Sequence, residues 1–243
     1  MGEVVVTAKK IKNRKKRIKR TKIVIFIVLI FLIISFIILS IIYNGGKFTV
    51  TLDNNFALKS GIILYEDEEF KNDKTRKLYA KNIDFLDNIS IDWIPVDIDN
   101  EATGSHNGEN YIAYTFYLEN KGERTINYWY SLYIDDVIKN VDEAVRVMIF
   151  LNGEKQVYAK INSATKSAEK DTKVFLENEE KEIILEERKD FKVDDKDKFT
   201  VVIWLEGDDP DCVDAIIGGE IKMHMEIREE HIEQESEKSD EKK

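Results

Sequence analysis

Residues 111–134, YIAYTFYLENKGERTINYWYSLYI, decide the fold. Apolar side chains recur at every second position: Ile112, Tyr114, Phe116 and Leu118, then Ile126, Tyr128, Tyr130, Leu132 and Ile134. A period of two is that of a strand with one face buried. Asn120-Lys121-Gly122 between the two runs is a turn signal, so the stretch reads as an aromatic-rich β-hairpin. Its opposite face carries Trp129 and Tyr133, a candidate aromatic platform for a glycan or a partner; burial under a loop is the plainer reading.

The same alternation continues on both sides. Phe48, Val50 and Leu52 form one strand, which Asp53-Asn54-Asn55 breaks. Phe199, Val201, Ile203 and Leu205 form another, and Ile221, Met223, Met225 and Ile227 a last. Val145–Leu151 and Val157–Ala159 flank Asn152-Gly153, the pair best suited to the two positive φ angles of a type I′ turn. Weaker strand signals lie at Ile62–Tyr65, at Leu78–Ala80 and in the alternation Ile89, Ile91, Trp93 before Pro95. Residues 135–144 read as one or two helical turns, 162–173 as an exposed loop, and 182–188 as a strand or a short helix. About eight to ten strands with turn signals every ~8–12 residues predict an all-β antiparallel β-sandwich of jelly-roll type, with a closed barrel as the alternative.

Ahead of this domain, residues 23–42, IVIFIVLIFLIISFIILSII, are apolar except for Ser35 and Ser40. At ~1.5 Å per residue a helix of this length reaches ~30 Å, the thickness of a bilayer's hydrocarbon core. The run exceeds the ~7–15 residues of a cleaved signal and lacks a small-x-small cleavage pattern, so it predicts an uncleaved signal-anchor. Residues 1–22 hold ten basic side chains and one acid, a net +9 that leaves −19 for the rest of a chain whose total is −10. The positive-inside rule then puts residues 1–22 in the cytoplasm as a basic arm and the acidic remainder outside. The expected order is that arm, a transmembrane helix at 23–42, a short exit at 43–46, an extracellular sandwich at 47–228 starting almost at the membrane surface, and a disordered tail at 229–243. The partners so implied are the lipid bilayer at 23–42 and an unknown envelope protein or a second copy of the chain, with nucleic acid excluded by the acidic excess. One cysteine, Cys212, makes an intrachain disulfide unavailable, so the core alone must hold the domain together.

The densest chemistry is WLEGDDPDCVDAIIGG, Trp204 to Gly219, with Glu206, Asp208, Asp209, Asp211 and Asp214 in nine residues. Carboxylates so close raise one another's pKa unless a cation or solvent relieves them, which makes the loop a candidate Ca²⁺ site. It lacks the D-x-[DN]-x-[DN]-G spacing of an EF-hand, and a solvated acidic turn is the plainer reading. The histidines His106, His224 and His231 show no HExxH spacing, and Ser105 beside His106 has no G-x-S-x-G context.

KFTVVIWLEGDDPDC and IIGGEIKMHMEI, within Lys198–Ile227, resemble the closing strands of Gram-positive surface and exported proteins related to camelysin and the biofilm fibre protein TasA. There a strand ending in a W-L-E-G-like sequence precedes a variable loop and a last alternating strand; YIAYTFYLENKG adds to the likeness. The resemblance implies a jelly-roll-like fold and a structural role at the cell surface. Some relatives are labelled metalloproteases, but no recognisable ligand set is present here. The expectation is a single-pass membrane protein with a structural, assembly or binding role and no catalysis. A calcium-assisted glycan- or cell-wall-binding module and a metal-dependent hydrolase are the alternatives.

Overall fold

The computed structural model describes residues 8–43, 47–67, 75–83 and 86–229. It divides into two compact units, Met1–Gly45 and Gly46–Lys243. The first is one 36-residue helix, α1 (Ala8–Tyr43), within which Asn13–Ile37 is long and apolar enough to cross a membrane. Of the expected tail at 229–243, Glu229 belongs instead to the last strand, where it continues the ladder, and residues 230–243 lie outside the described residues.

The second unit contains β1 (Phe48–Leu52), helix α2 (Asn54–Ser60), β2 (Ile62–Tyr65), β3 (Lys77–Tyr79), β4 (Asn88–Ile89), β5 (Gly104–Ser105), β6 (Tyr111–Asn120) and β7 (Ile126–Ile138). After these come β8 (Val145–Leu151), β9 (Glu154–Ala159), β10 (Lys173–Val174), β11 (Glu182–Phe191), β12 (Lys196–Glu206) and β13 (Glu220–Glu229). They build two sheets, β11-β7-β13-β1-β3 and β10-β9-β8-β12-β6-β2, with β4 on β12 and β5 on β6. The chain crosses between sheets after β1, β2, β3, β6, β7, β10, β11 and β12, and its first and last strands lie side by side, the winding of a jelly roll. Two open sheets make a sandwich, and the barrel alternative falls.

Three expectations are corrected. The sheets are mixed, not purely antiparallel: β1 runs parallel to β13, β4 to β12 and β10 to β9. A parallel pair needs a long crossover, and for β1 and β13 the whole intervening sandwich supplies it. Second, β6 and β7 form no hairpin. Residues 121–125 make an arch that carries the chain from one sheet to the other, so the two inward faces meet across the core. The buried Asn120 side chain holds the arch, donating to the carbonyls of Arg124 (3.0 Å) and Phe191 (2.9 Å) and accepting from Gly122 N–H at 2.9 Å. By contrast Asn152 (φ 53°) and Gly153 (φ 86°) close the expected β8–β9 hairpin. Third, the alternation at Ile89, Ile91 and Trp93 gives only the two residues of β4 and a 3₁₀ turn. Glu206 accepts from Ile91 N–H, turning the chain, and Ile89, Ile94 and Ile98 instead bury against Ala113, Met148, Phe150, Val202 and Trp204 on the outside of the larger sheet. Trp93 is left 74% exposed.

Two local elements differ in extent. The break at Asp53 is the start of α2: its carboxylate caps Phe56 N–H at 2.8 Å, and Gly61 at φ 69° ends the helix. Strand β7 runs on to Ile138, so only Val141–Glu143 of the expected helical segment forms a turn, a 3₁₀ one.

The core is aromatic through its middle. Phe199 stacks on Phe116 in its own sheet (5.1 Å between ring centroids) and meets Tyr130 of the facing sheet edge-on at 5.2 Å. Beside it, Asp197 is buried at 1% exposure and accepts from Tyr128 Oη (2.6 Å), Asn152 Nδ2 (2.7 Å) and Arg188 Nε (3.1 Å). Burial and this carboxylate push the Tyr128 phenol well above its ordinary pKa, which keeps it a donor. Tyr128→Phe should therefore cost about 1.5–3 kcal/mol, the range for a hydrogen bond to a charged group, measured by urea unfolding. A loss below 0.5 kcal/mol would show that the other two donors satisfy Asp197 without it.

Candidate functional site

At the end of the sandwich where β1 begins, the aromatic filling gives way to aliphatic side chains and a cavity of ≈ 320 Å³ opens. Its position follows from the register. Ile203 lies opposite Ile112 in the larger sheet, and Met223 beside Phe48 in the smaller, so these rows face each other as the floor. One row further out, Leu205 pairs with Val145 and Ile221 with Val137. The lining residues Ile112, Val145, Ile203, Trp204 and Met223 are at most 3% exposed, whereas Val213 and Ile217 at the mouth are 52% and 63% exposed. Lys47, Asp87, Asp214 and Glu220 supply the charged lining.

The loop joining β12 to β13 roofs this cavity, and it is the acidic loop singled out in the sequence. The structure does not gather its five carboxylates around one point. Glu206 is buried and accepts from Trp204 Nε1 (3.1 Å) and Ile91 N–H (3.2 Å). Asp209, 5% exposed, pairs with the guanidinium of Arg146, which is 4% exposed on β8. Asp211 accepts from Ser163 N–H at 2.8 Å and from Ser163 Oγ, hydrogen bonds that hold its carboxyl below the ordinary value. Asp208 and Asp214 face solvent. Glu169, which sequence reasoning passed over, does approach Asp209 and Asp211, with all three ligand atoms within 4.8 Å of one another. Arg146 lies among them, 3.8 Å from Glu169, so protein charge occupies the electrostatic role of a cation.

These acids therefore fasten the roof at its β12 end. The loop's other end is held by Lys139 Nζ donating to Ile217 O (2.7 Å) and by Gly219 N–H donating to Ile216 O (2.8 Å). Gly219 has no room for a side chain: a Cβ there would lie 2.7 Å from Ile138 O. Between these fastenings Ile216, 7% exposed, points its side chain into the protein, and Cys212 lines the cavity with its Sγ 3.2 Å from Asn88 Nδ2. A lone arginine in the apolar run Val145-Arg146-Val147-Met148 was the sequence signal for this arrangement, because a buried cation requires a partner.

The other sequence candidates lie elsewhere. Trp129 and Tyr133 share the outer face of the smaller sheet, as the alternation predicts, and both are half-buried. Tyr133 stacks on His224 at 4.8 Å, donates to Glu182 (3.0 Å) and accepts from Arg228 (2.7 Å). His224 Nδ1 is 2.7 Å from Asp135. His106 contacts the carbonyls of Gly104 (3.0 Å) and Ile98 (3.2 Å), while Ser105 Oγ accepts from Lys81 N–H. His231 falls outside the described residues.

No family model matches the chain, and no curated protein does. Among solved structures, the crystal structure of β-glucosidase from Kluyveromyces marxianus in complex with glucose aligns over 70% of this chain and 16% of that one, at 11% identity and a TM-score of 0.25. The Se-Met labelled form of that enzyme aligns over 71% and 16%, at the same identity and TM-score. The chain thus spans about a sixth of their length, and similarity at this level carries no argument for fold or activity.

Arg146→Met should lower stability by about 3–5 kcal/mol, since it leaves Asp209 buried and unpaired. In the same thermal melts, millimolar Ca²⁺ should leave the wild-type midpoint unchanged. A calcium-induced rise would show that a cation, not Arg146 alone, balances the roof carboxylates.

Proposed function

We propose that the chain is a single-pass membrane protein of a bacterial cell surface whose β-sandwich is exported and acts as a non-catalytic binding domain. Helix α1 is the anchor: its apolar stretch has the length of a span, and the +9 charge of residues 1–22 favours retention of the N-terminus inside. The end cavity carries the binding reading. Its volume falls at the lower end of the ~300–1,000 Å³ typical of small-molecule sites, and aliphatic walls with a charged rim supply contact area and orientation. Glu206, Asp209 and Asp211 of the roof loop are engaged in hydrogen bonds and an ion pair, which suits a rigid receptor whose rim charge comes from Lys47, Asp87, Asp214 and Glu220. The resemblance of Lys198–Ile227 to camelysin and TasA-like proteins supports a cell-surface setting.

Epitope tags at the two ends of the full chain test this topology on intact cells. The C-terminal tag should be accessible to antibody without permeabilisation and the N-terminal tag only after it. The reverse pattern, or two protected tags, would remove the exported domain and with it the cell-surface role.

A further inference from the structure

We infer that residues 91–101, on the outside of the larger sheet, form a docking surface for a partner polypeptide that combines basic and apolar side chains. This surface is separate from the end cavity, whose lining includes none of these residues. Within six positions it exposes three large apolar side chains: Ile91 at 37%, Trp93 at 74% and Val96 at 98%. Tryptophan is among the side chains that most often anchor an interface. The segment beneath is held firmly. Ile94 and Ile98 are buried at 6% and 1% exposure, Glu206 accepts from Ile91 N–H at 3.2 Å, and Trp93 N–H donates to Ser90 O at 2.9 Å. Pro95, between Trp93 and Val96, has its φ fixed by its own ring. A partner therefore meets Trp93 and Val96 on a backbone already in place, and little ordering entropy opposes binding.

Charge decides the occupant. Asp92, Asp97, Asp99 and Glu101 stand in the same segment, which contains no lysine or arginine. Among the described residues, the cation hydrogen-bonded to it is Lys198, at Asn100 (3.0 Å). A second copy of the domain brings like charge, since the chain beyond residue 22 carries −19, and an anionic bilayer is repelled in the same way. Lysines or arginines interspersed with apolar side chains satisfy both features: the cations meet the carboxylates, the apolar groups meet Trp93 and Val96, and the indole face itself attracts a cation.

The test uses the full chain in phosphatidylcholine nanodiscs and three fluorescent peptides of equal length, alternating Lys–Leu, Glu–Leu and Lys–Ser. By anisotropy, the Lys–Leu peptide should bind about ten-fold more tightly than either of the others. Equal binding by the Glu–Leu peptide overturns the basic partner, and equal binding by the Lys–Ser peptide overturns the apolar contact. Trp93→Ala and Val96→Ser alter exposed positions and should leave the melting midpoint unchanged; each should weaken the Lys–Leu peptide, Trp93→Ala by about ten-fold. Asp92→Asn combined with Asp97→Asn should weaken it too and flatten its salt dependence. No binding by the wild type, or unchanged affinity in Trp93→Ala, overturns the inference. Two other occupants are read without peptide. Dimerisation in sedimentation velocity that Trp93→Ala abolishes would assign the surface to a second copy, and shielding of Trp93 from acrylamide by the nanodisc alone would assign it to lipid; either result overturns the polypeptide partner.

Discussion

Phe199 joins the two sheets. Its ring lies flat on Phe116 within the larger sheet and receives the edge of Tyr130 from the smaller, so one side chain takes part in both the sheet's inner layer and its packing against the opposite layer. Edge-on and stacked contacts of this kind add directional preference to area burial, of order 0.5–1.5 kcal/mol per pair. That preference fixes how β7 must sit over β12. Once it does, the chain after β6 has to cross the core instead of turning back beside its own strand, and Asn120 supplies the hydrogen bonds that the crossing leaves open. The jelly-roll winding follows from repeated crossings of this sort.

The two ends of the sandwich are finished differently. Near Phe199 the sheets are tied by the buried Asp197 and its three donors beside packed aromatic rings. At the β1 end the cavity is lined mostly by Ile, Val, Leu and Met, which fill less volume than rings, and the roof loop closes over it. A loop over a cavity cannot draw its stability from what lies beneath it. The ion pair of Asp209 with Arg146, the hydrogen bonds to Asp211 and the Lys139 contact to Ile217 hold it from the sides.

This division explains what the sequence could and could not disclose. Alternation is a local property, so β1, β6, β7, β12 and β13 were legible residue by residue, down to the opposite faces taken by Tyr128 and Trp129. Asn152-Gly153 fixed a hairpin because both required φ signs are written in two adjacent residues. Pairing between distant strands has no such local code: residues 120–125 carry turn formers but no two-residue I′ signature, and their role as an arch depends on β12 and β11 occupying the neighbouring positions. The acidic loop was legible as unusual but not in its purpose. Its partners Arg146, Ser163 and Glu169 lie some 40 to 60 residues upstream, on elements whose proximity only the fold creates.

Five carboxylates in one loop of an acidic domain would ordinarily repel one another and open the segment to solvent. Here the geometry separates their tasks. Glu206 is turned inward to the Trp204 indole, which anchors the end of β12; Asp209 neutralises the only arginine on β8; Asp211 grips a neighbouring loop through Ser163; Asp208 and Asp214 remain solvated. Repulsion between solvated acids is screened over about 8 Å at physiological salt, so the two left free cost little. What results is a roof fastened by charge but lined on its inner side by Cys212, Val213 and Ile216, polar in its attachment and apolar toward the space it covers. A loop serving only as a solvated turn has no need of that asymmetry, whereas a loop that covers a largely apolar cavity requires both halves of it.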